Sequence, residues 1–87
     1  MSAILPLALM DKCVNSKLWV IMRGNQEFVG KLQGFDDFVN LVLEDVIEYT
    51  YDEAGERHAT QLESSILLNG NAVTFMVPGA GPEDHLE

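Results

Sequence analysis

The sequence is poor in the residues that build covalent and metal-dependent sites. Its 87 residues include one cysteine and two histidines, which excludes an intrachain disulfide and a zinc site made of four cysteines. Because His58 lies near a loop and His85 in the acidic terminal stretch, no Ser–His or Cys–His pair is suggested. The adjacent acids Asp36 and Asp37 are a weak candidate for a hydrolytic pair. We therefore expect no enzyme, no cofactor and no metal site, in a reducing compartment.

Basic residues and long apolar runs are also scarce. The sequence has five Lys and Arg and fourteen Asp and Glu, which gives a formal charge of −9. That balance argues against adhesion of the whole surface to nucleic acid or to anionic lipid, although a small local site stays possible. Apolar runs such as residues 72–77 are far shorter than the roughly 20 residues that cross a bilayer, and no secretory signal is indicated. We expect no membrane partner.

The periodicity of the apolar residues predicts a mainly β protein. A short helix is expected over about residues 5–14, where apolar side chains recur at spacings of three and four. Beyond it the period changes to two, and turn residues divide the chain into five antiparallel strands. The predicted strands cover about residues 17–23, 27–35, 39–51, 58–68 and 72–77. A strongly bent sheet of this size closes into a small open barrel, which gives one domain over 1–78 and a short acidic Gly/Pro tail over 79–87.

Two glycines and one strand edge add detail to this prediction. Gly30 and Gly34 lie inside the second strand, where glycine is typical of sharp bending or close backbone approach. The last strand has no charged residue to protect it from pairing with another chain. A chain of this length also buries only about 60–65% of its unfolded surface. We therefore expect an oligomer in which sheet edges join.

Several motifs resemble those of the Sm and Sm-like proteins. The first is the Gly-x-apolar-x-Gly-apolar-Asp run of residues 30–36, followed by Val39-Asn40 and by the Asp-apolar-x-Glu run of residues 45–48. The second is Ile-Leu-Leu-Asn-Gly-Asn with the apolar strand after it, residues 66–77. The resemblance covers roughly residues 4–78, and its first segment is specific because seven or eight positions match at fixed spacing.

The resemblance implies an architecture and a role. Its members have a bent five-stranded barrel with an N-terminal helix, and they form rings by pairing the fourth strand of one subunit with the fifth strand of the next. The helix and loops further resemble one subunit type of eukaryotic heteroheptameric rings, whose neighbours are expected to be of the sixth and seventh types. Such rings bind uridine-rich 3′ ends of single-stranded RNA, including U6 snRNA and deadenylated mRNA. The implied processes are splicing and mRNA decay, in the nucleus and cytoplasm.

The same resemblance assigns the site residues by position. Phe38 is the aromatic platform for a base, and Asn40 is the group that bonds the base edge. Asn69 and Gly70 form the second loop of the pocket, and Asp36 is expected to orient Asn40 or bond loop N–H groups. These residue types suit the binding of a base. A flat ring stacks on the base, an amide offers its edge both a donor and an acceptor, and Gly70 permits close backbone approach or a positive φ in the tight turn.

Each residue also has a purely structural interpretation. Phe38 could cap the barrel, Asn40 could brace its loop, and Asn69-Gly70 could form only a tight turn. Most members of the family have Arg or Lys where this chain has Asn69, so this subunit lacks a cation that would stack on the base. The alternative function is therefore a structural subunit that closes the ring and docks proteins, with little RNA contact of its own.

Overall fold

The computed structural model describes residues 6–24 and 26–85, with residues 84 and 85 described by their backbone. It contains one α-helix and six strands. They are α1 (Leu7–Asp11), β1 (Lys17–Met22), β2 (Gln26–Phe35), β3 (Leu41–Tyr51), β4 (Arg57–Gln61), β5 (Ile66–Leu68) and β6 (Val73–Pro78). Two 3₁₀ turns lie at Gly70–Ala72 and Pro82–His85. Within the described ranges, no helix is long and apolar enough to cross a membrane.

The N-terminal helix is shorter than predicted. It begins directly after Pro6 and ends at Asp11, whereas the prediction ran over 5–14, with residue 5 outside the described residues. The chain continues in turns to Asn15, whose φ of 69° ends any helical path. Met10 in the helix and Cys13 in these turns both pack against the barrel core, which is why the apolar spacing continued beyond the helix itself.

The strands form one antiparallel sheet that curls round on itself. The hydrogen-bonded order is β4-β3-β2-β1-β6, and β5 pairs with β3 beside β4. Only the turn at Gly70–Ala72 separates β5 from β6 along the chain, yet β5 lies on β3 and β6 lies on β1. The sheet must therefore bend strongly to bring these positions together, as in an open barrel. The prediction of a mainly β fold with a short helix and a bent antiparallel sheet is confirmed.

The bend is concentrated where β2 crosses β3. Their register shifts between Val29 and Lys31 and again between Leu32 and Gly34, and Asp45 in β3 has a φ of 54°. A Cβ at Gly30 would lie 3.0 Å from the Glu44 carbonyl oxygen, so a side chain there would fit only if the two strands moved slightly apart. Gly34 differs, because a Cβ there meets nothing within 4 Å.

The predicted fourth strand, residues 58–68, is interrupted. β4 pairs with residues 47–51 of β3, and β5 pairs with residues 41–43. Between them the bulged part of β3 cannot continue a regular ladder, and the Leu62 N–H donates to the Val46 carbonyl at 2.8 Å. The third strand also begins later than predicted, because residues 39 and 40 lie in a loop. The last strand begins at Val73 rather than residue 72, because the 3₁₀ turn occupies residues 70–72.

The barrel interior is apolar, and the elements at the sheet edges carry exposed side chains. The largest fully buried side chains are Met10, Leu18, Val20, Leu32, Leu41, Leu43, Val46 and Val73. All five residues of β4 are exposed at one edge of the sheet. On β6 at the other edge, Phe75 is 47% exposed, and Leu67 on β5 is 71% exposed. Apolar side chains therefore remain in contact with water on the elements that end the sheet.

Candidate nucleic-acid interface

The loop between β2 and β3 is organised by the carboxylate of Asp36. Its Oδ1 accepts hydrogen bonds from the backbone N–H groups of Phe38, at 2.9 Å, and Asn40, at 3.0 Å. Its Oδ2 accepts a third bond from Nδ2 of Asn40 at 3.0 Å. This is an Asx-type turn, in which a side chain replaces backbone partners. Sequence analysis left two alternatives for Asp36, orientation of Asn40 or bonding of loop N–H groups, and the structure contains both contacts.

Val39 decides which way the loop presents its side chains. Its φ is 62°, a region that β-branched residues rarely adopt and that costs of order 1–3 kcal/mol. In return its side chain packs into the barrel core with 7% exposure, while the neighbouring Phe38 is 80% exposed. Sequence reasoning missed this role and placed Val39 at the start of a strand, because nothing in a valine indicates a positive φ.

The loop between β5 and β6 forms the other half of the candidate site. The side chain of Asn69 accepts the Asn71 N–H at 2.8 Å and so caps the 3₁₀ turn. The Gly70 N–H donates to Oδ1 of Asn40 at 2.8 Å, which links two loops that are 30 residues apart in the chain. The structure therefore brings together all five predicted site residues: Asp36, Phe38, Asn40, Asn69 and Gly70.

Gly70 is held against the first loop by its lack of a side chain. A Cβ at this position would lie 2.2 Å from the Phe38 carbonyl oxygen and 2.7 Å from that of Val39. Distances under 3 Å to backbone atoms are not tolerated, so any larger residue must push the two loops apart. Of the two alternatives that the sequence left open for Gly70, these contacts correspond to close backbone approach and not to a positive φ.

The orientation of the Asn40 amide follows from these contacts. Nδ2 donates to Asp36 and Oδ1 accepts from Gly70, so the two ends of the amide are fixed by different partners. An asparagine side chain has two N–H donors and two carbonyl lone pairs. One donor and one lone pair therefore lie outside this network. Asn40 braces both loops, and it still has the groups that a base edge would need.

Comparison with known proteins places the chain in a family. The model of the LSM domain matches residues 8–78. The chain belongs to the LSM domain family. It is 54% identical over 83 residues to "Sm-like protein LSM5" of Arabidopsis thaliana, with 95% of this chain and 92% of that protein covered. It is also 48% identical over 83 residues to "Probable U6 snRNA-associated Sm-like protein LSm5" of Dictyostelium discoideum, covering 94% and 84%.

Solved structures of archaeal proteins have a similar fold. The Sm protein of Pyrococcus abyssii in complex with a uridine heptamer aligns with a TM-score of 0.68 and 27% identity. That alignment covers 85% of this chain and 97% of the archaeal chain. A heptameric archaeal Sm protein aligns with a TM-score of 0.64 and 26% identity, covering 84% and 98%. The bent sheet of this LSM domain is therefore the Sm fold.

The electrostatics of the candidate site are unusual for a surface that would meet phosphate. Residues 36–40 and 69–71 contain no Lys or Arg and include two aspartates. Hydrogen bonds from the Asn40 side chain, and then from the Asn40 and Phe38 backbone, lower the pKa of Asp36 below its ordinary value of 3.8. Asp36 is therefore ionised at neutral pH. The basic residue Arg23 contacts the turn at residues 70–72 through its backbone: its N–H donates a hydrogen bond to the Ala72 carbonyl oxygen at 2.9 Å.

A second group of polar side chains lies on the hairpin between β3 and β4. Among the described residues, Asp52, Glu56 and His58 place one possible metal-binding atom each within 4.8 Å of the others. All three are exposed. Asp52 already accepts the N–H groups of Ala54 and Glu56 at 2.9 Å and contacts His58 at 2.9 Å. These hydrogen bonds belong to the turn of the hairpin loop, and they explain why the three side chains lie close together.

Replacing Gly70 with alanine tests the closeness of the two loops. We expect Gly70→Ala to lower the free energy of unfolding by about 1–3 kcal/mol, since the added methyl group must displace backbone and lengthen the Asn40–Gly70 bond. Gly34→Ala is the matched control, because its Cβ would meet nothing within 4 Å. Urea unfolding of both variants measures the difference. Equal stabilities for the two would contradict the geometry.

The pKa of Asp36 gives a second test of the same network. A carboxylate with a lowered pKa in the folded state stabilises that state at all pH values above the unfolded pKa, and this contribution is lost as the pH falls through the folded pKa. In a carbon-detected NMR titration, we expect Asp36 to titrate below 3.8. Asn40→Ala should raise this pKa towards the ordinary value, whereas Asn69→Ala, which leaves the Asp36 contacts in place, should not. If Asp36 in the folded wild-type chain has a pKa at or above 3.8, its hydrogen bonds to Phe38 and Asn40 are not formed in solution.

Proposed function

We propose that this chain is a non-catalytic subunit of a heteroheptameric Sm-like ring that binds uridine-rich 3′ ends of single-stranded RNA. The observation that carries the proposal is the pair of linked loops. They hold Phe38 at 80% exposure beside an Asn40 amide whose orientation is fixed. An exposed aromatic face close in the chain to an oriented amide is a suitable receptor for one nucleotide.

The chemistry of uracil recognition supports the RNA part of the proposal. An exposed ring stacks on a base without sequence preference, and the remaining donor and acceptor of Asn40 can bond one base edge. Asn69 and Gly70 would form the opposite wall of the pocket. Asp36 would act as a positioning residue, since its carboxylate is occupied by the loop and would repel phosphate. The similar archaeal Sm protein was solved with a uridine heptamer, which agrees with this ligand.

Exposed side chains on β4, β5 and β6 support the proposal of a ring. In the proposed assembly, β4 and β5 of this subunit meet the last strand of one neighbour, and β6 meets the corresponding edge of the other. Pairing would cover Leu67 and Phe75, which are 71% and 47% exposed in the single chain. A heptameric archaeal Sm protein has a similar fold. The neighbours are proposed to be Sm-like subunits of the sixth and seventh types.

The proposed processes follow from the RNA ligands. A similar Dictyostelium protein carries U6 snRNA association in its name, which supports a role in the U6 snRNP and in pre-mRNA splicing in the nucleus. Binding of deadenylated mRNA would add a role in mRNA decay in the cytoplasm. Each subunit offers a single nucleotide-sized pocket, so useful affinity requires the summed contacts of a ring.

The structural alternative rests on a specific observation. The two loops contain no basic residue, and the candidate groups are already engaged: Asn69 caps its own turn, and Asn40 braces both loops. A subunit that closes the ring and docks proteins would need only these internal contacts. The two functions differ in whether the exposed ring of Phe38 contacts RNA.

Native mass spectrometry of the assembly purified through this chain tests the ring. We expect seven different small subunits, with RNA lost under stripping conditions, because the resemblance implies a heteroheptamer and a heptameric archaeal Sm protein has a similar fold. Leu67→Glu should reduce recovery of one neighbour by placing a charge in the joined edge. Leu9→Glu is the control on α1, where Leu9 is 43% exposed and belongs to neither edge. Recovery of a single species would contradict the proposed assembly.

Phe38→Ala, introduced into the assembled ring, tests the RNA contact. Loss of one stacked base should weaken binding of a uridine-rich 3′ end by about 1–3 kcal/mol, or about 5- to 150-fold. Fluorescence anisotropy measures the affinity, and native mass spectrometry confirms that the ring is intact. Leu9→Ala is the control for removal of an exposed apolar side chain outside the site. Unchanged affinity for Phe38→Ala would favour the structural alternative.

A further inference from the structure

The loop between β5 and β6 contains a chemically labile dipeptide. The sequence has five asparagines, and Asn69 is the one that is followed by glycine. Asparagine is a thermolabile residue, because the backbone nitrogen of the next residue can attack its side-chain amide carbon. A following glycine has no side chain to hinder that attack, and it gives the backbone more freedom to rotate into position. Asn69-Gly70 is therefore the place where this chain is most prone to deamidation.

The reaction exchanges the side-chain nitrogen of Asn69 for an oxygen. The Gly70 nitrogen forms a bond to Cγ of Asn69, the Cγ–Nδ2 bond breaks, and ammonia leaves with the proton that Gly70 has lost. Water then opens the resulting five-membered imide at one of its two carbonyl carbons. One product is an aspartate, and the other is an isoaspartate, in which the main chain passes through Cβ and Cγ. Water is the co-reactant, and nothing is oxidised or reduced.

The folded loop holds the two reacting atoms apart. Asn69 has an extended backbone, with a φ of −79° and a ψ of 125°. Closure of the imide needs the Gly70 nitrogen to be nearly eclipsed with Cβ of Asn69 about the Cα–C bond, and that arrangement requires a negative ψ. Oδ1 of Asn69 also accepts the Asn71 N–H at 2.8 Å, which holds the side chain over its own turn. The imide therefore cannot close until the backbone of Asn69 has rotated.

The contact between the two loops opposes this rotation. The proton that Gly70 must lose is donated to Oδ1 of Asn40 at 2.8 Å, and an amide oxygen is an acceptor but not a base that could remove it. Gly70 also lies so close to the first loop that a Cβ there would be 2.2 Å from the Phe38 carbonyl oxygen, which leaves little space for the peptide group to turn. Attack on Asn69 therefore requires the two loops to separate.

We propose that Asn69 is a site of spontaneous deamidation and that the Asn40–Gly70 hydrogen bond sets its rate. While the loops are joined, the reaction is blocked, and in the fraction of molecules whose loops are open Asn69 reacts as it would in a flexible chain. Either product adds a carboxylate to loops that contain two aspartates and no Lys or Arg. Isoaspartate also lengthens the main chain beside Gly70, so the two loops no longer fit together. A brief opening is thus converted into a permanent change.

Peptide mapping by mass spectrometry of the full chain, aged in neutral buffer, measures the modification at each asparagine. We expect Asn69 to react at least about tenfold more slowly in the folded chain than in the same chain unfolded in urea, where it should react faster than the other asparagines. In Asn40→Ala, loss of one hydrogen bond should raise the rate in the folded chain by about 2- to 12-fold. Val20→Ala is the matched control. Val20 is fully buried on β1, so its replacement lowers the global stability and leaves the contact between the loops in place.

A second measurement covers the case in which Asn40→Ala does not fold, which circular dichroism reports. In the wild-type chain, urea below the unfolding transition should raise the deamidation rate of Asn69 in proportion to the hydrogen-exchange rate of the Gly70 amide, since both need the same opening. Equal rates at Asn69 in the folded and unfolded chains, equal acceleration by Asn40→Ala and Val20→Ala, or a rate that does not follow Gly70 exchange would each overturn the proposal. None of these measurements involves RNA or the ring, so their failure leaves the proposed function unaffected.

Discussion

The hydrogen bond from the Gly70 N–H to Oδ1 of Asn40 is the contact on which the candidate site depends. It joins the loop after β2 to the loop before β6, and it forms only because Gly70 has no side chain to keep the backbones apart. Asp36 fixes the other end of the same amide. The network therefore performs two tasks at once, since it closes one end of the barrel and it holds the Asn40 amide in a single orientation beside an exposed ring.

The backbone strain at Val39 accompanies this hydrogen-bond network. A β-branched residue with a φ of 62° is held there because its side chain is buried in the core and its neighbours are bonded to Asp36. Stored backbone strain of this kind occurs at sites that present a side chain for binding. Phe38 therefore meets solvent on a loop whose backbone is held by hydrogen bonds to Asp36.

Charge is distributed unevenly relative to the candidate site. The loops that hold Phe38 and Asn69 carry no cation, so in the proposed ring the affinity for phosphate would come largely from other subunits. Basic residues on the strands have contacts of their own: Lys31 lies 3.4 Å from Glu44, and the guanidinium carbon of Arg57 lies 5.7 Å from the centre of the Tyr49 ring.

By itself the sequence determined the fold class and most of the order of the elements, and its resemblance to the Sm-like proteins supplied the candidate site residues. Strand periodicity, the glycine at position 30 and the spacing of Asp36 and Asn40 are local features that can be read directly from the chain. Tertiary structure decided the rest. The break between β4 and β5 follows from the bend in β3, the positive φ of Val39 follows from burial of its side chain, and the hydrogen bond from Tyr49 to Glu83 follows from the return of residues 79–83 to the sheet. Each of these depends on contacts between residues distant in sequence, because apolar burial and close backbone approach are settled only when the whole sheet has closed.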